Sequence, residues 1–274
     1  MFDAGLRSIE TDGRLAASRS AAARVSSPPD WTSIGLADLV ASLGEASLTP
    51  DPRFAEVRFP VRRLNAGQVL HRAGDRFDAI CAVRCGFFKT VRIDEAGTEQ
   101  VLSFPMGGDV IGLDGVDLGR YTADVIALDT SHVTLVSFAR IAQLGRQHAG
   151  VERLLYRLFS RELVREHTMM CLLGTLTADA RVATFLLDLS ERFARLGCSR
   201  SAFVLRMTRQ DVGSYLGIKL ETVSRTLSAL CAAELIHVEG KTITLRDMAG
   251  LRRIIEPEDD AVMRPIRRIR RAAA

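Results

Sequence analysis

The stretch DVGSYLGIKLETVSR, residues 211–225, constrains the fold more than any other in the chain. Gly217 interrupts an apolar helical pattern, and Glu221, Ser224 and Arg225 cluster just beyond the break. Gly213 lies four residues before that glycine, and Val223 lies six after it. A residue without a side chain at 213 lets two helices approach closely. A glycine at 217 can take the positive φ of a sharp corner, and a valine at 223 fills the space between the helices. The pattern predicts one helix over 208–216, capped by Thr208, and a second over 220–232 with Leu227 and Leu230 turned to the core.

What flanks the corner narrows the reading. Phe203 to Met207 reads as a short strand before it. After it, Leu235-Ile-His-Val, Glu239-Gly240 and Lys241-Thr-Ile-Thr-Leu spell a tight hairpin with glycine in the turn. A strand, two cornered helices and a hairpin make a winged helix-turn-helix, whose second helix projects its N-terminal half into a DNA major groove. The candidate DNA contacts are therefore Thr208, Arg209, Lys219, Glu221, Thr222, Ser224 and Arg225, with Lys241 in the wing. Arginine can bond guanine bidentately, glutamate can accept from the cytosine amino group, and serine can meet a base or a phosphate. The competing explanation of this polar cluster is a solvated helix face.

Upstream the period changes. From Val57 to Phe138 short apolar stretches alternate with Gly and Asp, as in AGQVL, GGDVIG and HVTLVSF, which predicts an antiparallel β-roll over 49–148. Over 149–178 the apolar residues return at helical spacing, through Leu155, Leu158, Phe159, Leu163, Met169, Met170 and Leu173. A helix of that length with a Met/Leu seam predicts pairing with a second copy of the chain. The dimerisation candidates are Leu155, Phe159, Leu163, Glu166, Met170 and Leu173, with the acid at 166 interrupting the seam. The alternative is a helix packed only on its own roll. Residues 179–255 then form the winged domain, opened by a helix that Asp179 can cap and Gly197 closes. The overall expectation is an α+β chain.

The two ends differ in composition from this middle. Residues 1–48 begin with an Ala-, Ser- and Arg-rich extension, expected to be partly disordered and to lead into a short helix near Ile34 to Leu43. Residues 256–274 form a basic tail, in which Arg264, Arg267, Arg268 and Arg271 would share one face if it is helical. With 47% hydrophobic and 26% charged residues in 274, the chain can bury a core, and a net charge of +4 permits a nucleic-acid partner without requiring one. No apolar run approaches the ~20 residues of a membrane span, so no membrane partner is expected. The five cysteines have neither disulfide nor metal-knuckle spacing, which fits a cytoplasmic protein.

At this point the chain resembles a known family. TRQDVGSYLGIKLETVSRTLSAL is similar to the C-terminal domain of the Crp/Fnr family of bacterial transcription regulators, and E-T-V-S-R to the recognition helix of its FNR branch. The resemblance spans roughly residues 57–255, in the family's order of cyclic-nucleotide-binding-like roll, dimer helix and winged helix-turn-helix. It implies base-reading roles for Glu221, Ser224 and Arg225, a half-site resembling TTGAT within an inverted repeat, and an activator working on RNA polymerase as a homodimer. A CRP-like reader carries arginine where this chain has Leu220, which favours the FNR-type site.

The family's sensing chemistry carries over less well. The FNR cluster takes three cysteines near the N-terminus and one in the roll, but no cysteine precedes Cys81 and Thr134 stands at the roll position. No FNR-type iron–sulfur cluster is expected. A cAMP pocket takes a glutamate and an arginine, and the matching stretches IGLDGV and RYTADV offer Leu113 and Tyr121, with Arg120 one place off. A slip of one residue in a strand reverses the side chain's face, so cAMP is not expected either. The histidines at 71, 132, 148, 167 and 237 share no short spacing and read as surface or satisfied residues rather than haem ligands. Cys81 and Cys85, ~13 Å apart along one strand face, are too distant to bridge and read as small core residues. Cys171 in the dimer helix could approach its symmetry mate. No cofactor is thus expected.

The alternatives are a CRP-like regulator answering a cyclic nucleotide or other small ligand, and a cupin-like metalloenzyme built on the roll. The enzyme reading is weak because the roll holds only His71 and His132, and no catalytic triad, P-loop or dinucleotide fingerprint appears.

Overall fold

The computed structural model describes residues 33–44 and 55–255. The N-terminal extension before residue 33 and the basic tail with its arginines at 264, 267, 268 and 271 lie outside the described residues. The chain opens with β1 (Ser33–Gly35) and α1 (Leu36–Ser42). The roll follows as β2 (Arg58–Leu64), β3 (Val69–His71), β4 (Ala79–Cys85), β5 (Phe88–Ile93), β6 (Glu99–Ser103) and β7 (Val110–Ile111). A short α2 (Gly115–Leu118), β8 (Asp124–Ala127) and β9 (Ser131–Ser137) complete it. All pairings are antiparallel, in sheets ordered β1-β2-β9-β4-β7 and β3-β8-β5-β6.

Strand β4 shows how the roll is packed. Its side chains alternate faces, yet the four residues from Ile80 to Val83 are all buried. Cys81 and Val83 join Leu64, Leu70, Phe88, Ile111, Val125 and Val133 in one apolar cluster. Ile80 and Ala82 turn the other way, onto α1 and the helices that follow the roll. Between Val83 and Cys85 the β4–β9 register slips, with Arg84 as the extra residue. That bulge takes Cys85 off the inward face. The expectation of two core cysteines is therefore corrected: Cys81 is buried and Cys85 is exposed, its sulfur 3.3 Å from His132 Nδ1.

Two helices follow, α3 (Phe138–Gln147) and the long α4 (Ala149–Thr175). Helix α4 begins at His148, whose Nδ1 accepts from the Gly150 amide at 3.1 Å. Its apolar residues divide between two faces. Val151, Leu154, Leu158 and Leu172 are buried against the protein's own core, and Met169 packs beside them. Phe159, Leu163, Met170 and Leu173 are exposed, Leu163 by 58% and Met170 by 69%. Leu155 is half-buried on the roll side, and Glu166 is exposed. The single seam read from the sequence thus merges two stripes: Leu158 and Met169 serve the chain's own fold, while the other stripe is left open.

The C-terminal part runs α5 (Ala178–Arg195), β10 (Ala202–Val204), α6 (Arg209–Leu216), α7 (Leu220–Ala232), β11 (Ile236–Glu239), β12 (Thr242–Leu245) and α8 (Met248–Ile255). Strands β10, β12 and β11 form a small sheet in that order. The strand expected over 203–207 ends earlier, because Met207 drops into the core one place before the Thr208 cap, alongside Val212. Apolar residues at these two positions staple a helix start. The cap of α5 is Thr177, whose hydroxyl accepts from the Ala180 amide, and not Asp179. Asp179 instead accepts from the Thr226 hydroxyl at 2.5 Å and ties α5 to α7.

One core cluster crosses from the roll into this domain. Val91, Val101 and Phe104 of the roll pack with Phe185, Leu186, Leu216, Leu227 and Leu251. A buried ion triad reinforces the join. Asp109, in the loop before β7, accepts from Arg165 of α4 at 2.6 Å and from Arg192 of α5 at 2.5 Å. Burial alone would raise the Asp109 carboxyl, but Arg192 and Arg165 outweigh it and hold the group below the usual carboxylate range.

Candidate nucleic-acid interface

The corner between α6 and α7 forms as the glycine spacing demands. Gly217 closes α6 with φ of 63°. A Cβ on Gly213 would lie 2.7 Å from the Ile218 carbonyl oxygen and 3.5 Å from Val223 Cγ2. Only a residue without one fits there. Thr208 and Asp211 cap α6 reciprocally: the Asp211 amide donates to Thr208 Oγ1 at 3.0 Å, and the Thr208 amide donates to Asp211 Oδ2 at 2.9 Å.

Beyond the corner α7 splits into two faces. Val223, Thr226, Leu227 and Leu230 are buried. Lys219, Glu221 and Arg225 are exposed, Thr222 and Ser224 are half-exposed, and Arg209 of α6 donates to Ser224 Oγ at 3.3 Å. Thr208 and Lys241 are exposed as well, Lys241 in the two-residue turn joining β11 to β12. The structure thus places the sequence-derived contact residues on α7, the start of α6 and the wing turn. It adds Leu220, 42% exposed, whose apolar side chain stands at the start of the same face.

Other residues that hold this face were not legible in the sequence. Arg181 of α5 donates to the Leu216 carbonyl at 3.0 Å, to Leu173 at 2.7 Å and to Leu176 at 3.0 Å, joining the ends of α6 and α4. Ser214 of α6 bonds strand β6, from which it is separated by more than 110 residues of chain. Only the fold brings such partners together. The Thr208–Asp211 box, by contrast, carries a local signature.

The roll's interior contains different chemistry. Tyr121 donates its hydroxyl to the Ala79 carbonyl at 2.6 Å and stacks on His71, ring centroids 3.7 Å apart at 12°. Both rings line a cavity of about 470 Å³. Leu113 is half-buried in apolar contact, and Arg120 is exposed and donates to the Gly74 carbonyl at 2.8 Å. His71 corrects the expectation of a surface or satisfied histidine. It is buried beside the Ala123 backbone, and among the described residues neither ring nitrogen makes a well-formed hydrogen bond. Burial lowers its pKa below the ordinary value, against the pull of Asp114 and Asp75. Among the described residues no helix is long and apolar enough to cross a membrane.

Comparison with known proteins gives concordant matches. Residues 180–254 match the Crp-like helix-turn-helix domain, and residues 61–148 match the cyclic nucleotide-binding domain. The chain is 41% identical to the transcriptional activator protein anr of Pseudomonas aeruginosa, over 69% of this chain and 78% of that protein. It is 37% identical to the transcriptional regulatory protein btr of Bordetella pertussis, over 72% and 81%. Among solved structures, FixK2 of Bradyrhizobium japonicum superposes with a TM-score of 0.65 at 28% identity, covering 72% of this chain and 96% of that one.

Proposed function

The chain belongs to the Crp/Fnr family of DNA-binding transcription regulators, which are not enzymes, and from that premise we propose that it reads an FNR-like TTGAT inverted repeat as a homodimer. The exposed polar face of α7 carries this reading. Arg225 is assigned to a guanine edge, Glu221 to a cytosine amino group, Ser224 to a base or phosphate, and Leu220 to a thymine methyl. Thr208, Arg209, Lys219, Thr222 and Lys241 surround them as backbone contacts.

Homodimerisation rests on the open stripe of α4, where Phe159, Leu163, Met170 and Leu173 repeat along one face and stay exposed. A two-fold dimer matches an inverted repeat whose half-sites lie about one helical turn apart. The cytoplasm is the proposed compartment, and RNA polymerase at promoters the proposed further partner, as for an activator.

We assign no FNR-type cluster and no cyclic nucleotide. Cys81 is buried in the roll core, and the buried Thr134 stands at the cluster's roll position. The tyrosine at the phosphate-binding position spends its hydroxyl on Ala79, and the neighbouring Arg120 faces outward. The roll cavity keeps a second reading in play, a regulator answering some other small ligand. Footprinting on DNA with the inverted repeat tests the main reading, beside light scattering of the free protein. Protection of both half-sites by a dimer is expected, and a monomer protecting one half-site would contradict it.

A further inference from the structure

Helix α6 lends Arg209 to the reading face, and it is also tied to the roll through Asp211 and Ser214 and to α4 through Arg181. Strand β6 is the edge of its sheet, so its outward backbone groups lack a neighbouring strand. Ser214 takes that place: its hydroxyl accepts from the Val101 amide at 2.9 Å and donates to the Glu99 carbonyl at 3.1 Å. The Gln100 side chain donates to the Ser214 carbonyl at 2.5 Å. Lys89 of β5 bridges Glu99 at 2.9 Å and Asp211 at 3.0 Å, and Asp211 is the acid that caps α6. At the far end, Arg181 ties the α6 terminus to the last turn of α4.

The chain of contacts therefore runs from the sensor roll through α6 to the helix that carries the open apolar stripe. Helix α7 is joined to α6 by a corner with no room for a Cβ, so a fixed α6 fixes α7. In a two-fold dimer, the pose of each α6 against α4 determines how far apart the two reading helices stand. We propose that Lys89, Gln100, Ser214 and Arg181 are positioning residues that set the distance between the two recognition helices, and hence the half-site spacing the protein accepts. The inference rests on the dimeric reading above and adds its geometric control. Lys89 and Ser214 face β6 and α6 across the domain junction, away from the reading face of α7, so changing them leaves the base contacts in place.

The test uses full-length protein and a set of duplexes. One carries a single TTGAT half-site; the others carry the inverted repeat with its spacer natural, shortened or lengthened by one or two base pairs. Wild type should favour one spacer by about tenfold, the scale of one or two hydrogen bonds. Ser214→Ala and Lys89→Gln should flatten that preference to about threefold or less while binding the single half-site as wild type does. A merely structural role would instead weaken every duplex equally, and that result overturns the proposal. Unchanged spacer preference in both variants overturns it too. A wild type that binds no repeat better than a single half-site would sink the dimeric reading, and this inference with it.

Discussion

On helix α7 the polar groups Glu221 and Arg225 face solvent, while in the roll Tyr121 donates to the Ala79 carbonyl and stacks on a buried histidine. Both regions sit on scaffolds matched by family domains, 180–254 for one and 61–148 for the other. The reader domain keeps its donors and acceptors available for a partner. In the roll, Tyr121, where the resemblance would place an arginine, makes an internal bond to the Ala79 carbonyl. Shared architecture alone therefore does not decide function, which is argued from the chemistry of individual side chains.

The junction between the two regions offers the sharpest way to break this comparison. Asp109→Ala strips the shared carboxylate from Arg165 and Arg192 and leaves two guanidiniums half-buried. Arg165 keeps Glu162 and Arg192 keeps Asp188, so losing the charged bonds to Asp109 should cost about 3 kcal/mol, readable in denaturant unfolding. The pH dependence follows from the depressed carboxyl pKa. Its stabilisation is present above the unfolded value of about 4 and is lost as pH falls through the folded value. Asp109→Ala should therefore lose stability at neutral pH and show a shallower acid limb than wild type.

The open stripe of α4 comes next. Leu163→Glu with Met170→Glu places charges where side chains are exposed, so the monomer fold should survive. Dimer affinity should fall by about a hundredfold or more, as measured by sedimentation, because charges in an apolar seam lose hydration. A double variant that stays dimeric would move the interface elsewhere.

How far the sequence reached depends on the range of each contact. The α6–α7 corner was legible because Gly213, Gly217 and Val223 lie within eleven positions of one another and each has one local job. The two faces of α4 were not separable. Leu158 and Phe159 are adjacent in sequence, and only the packed roll decides which is covered. Asp179 has the place of a cap in sequence, an acid in a first turn, whereas its partner Thr226 lies 47 residues away. The bulge at Arg84 leaves no mark in a strand read by alternation. Ser214 gave no signal because its partners are the edge groups of a distant strand.

Smaller changes refine the contrast. Gly213→Ala should destabilise the reader domain by about 2 kcal/mol, since the added Cβ meets the Ile218 backbone rather than a flexible side chain. Thermal melting measures it, and DNA affinity should fall in parallel. Tyr121→Phe removes the bond to Ala79 and should cost about 1 kcal/mol of stability without altering DNA affinity. A DNA-binding change there would show that the roll's ligand-position residue still signals to α7.

The central claim is that α7 reads base sequence, and Arg225→Ala tests it most directly. Fluorescence anisotropy would compare wild type and variant on the TTGAT inverted repeat and on a repeat with its guanine replaced. Wild type should discriminate between the two by about 1–3 kcal/mol, and Arg225→Ala should bind both nearly alike. If the variant loses equal affinity for both duplexes and keeps the discrimination, Arg225 grips the phosphate backbone and the account of the reading face is wrong.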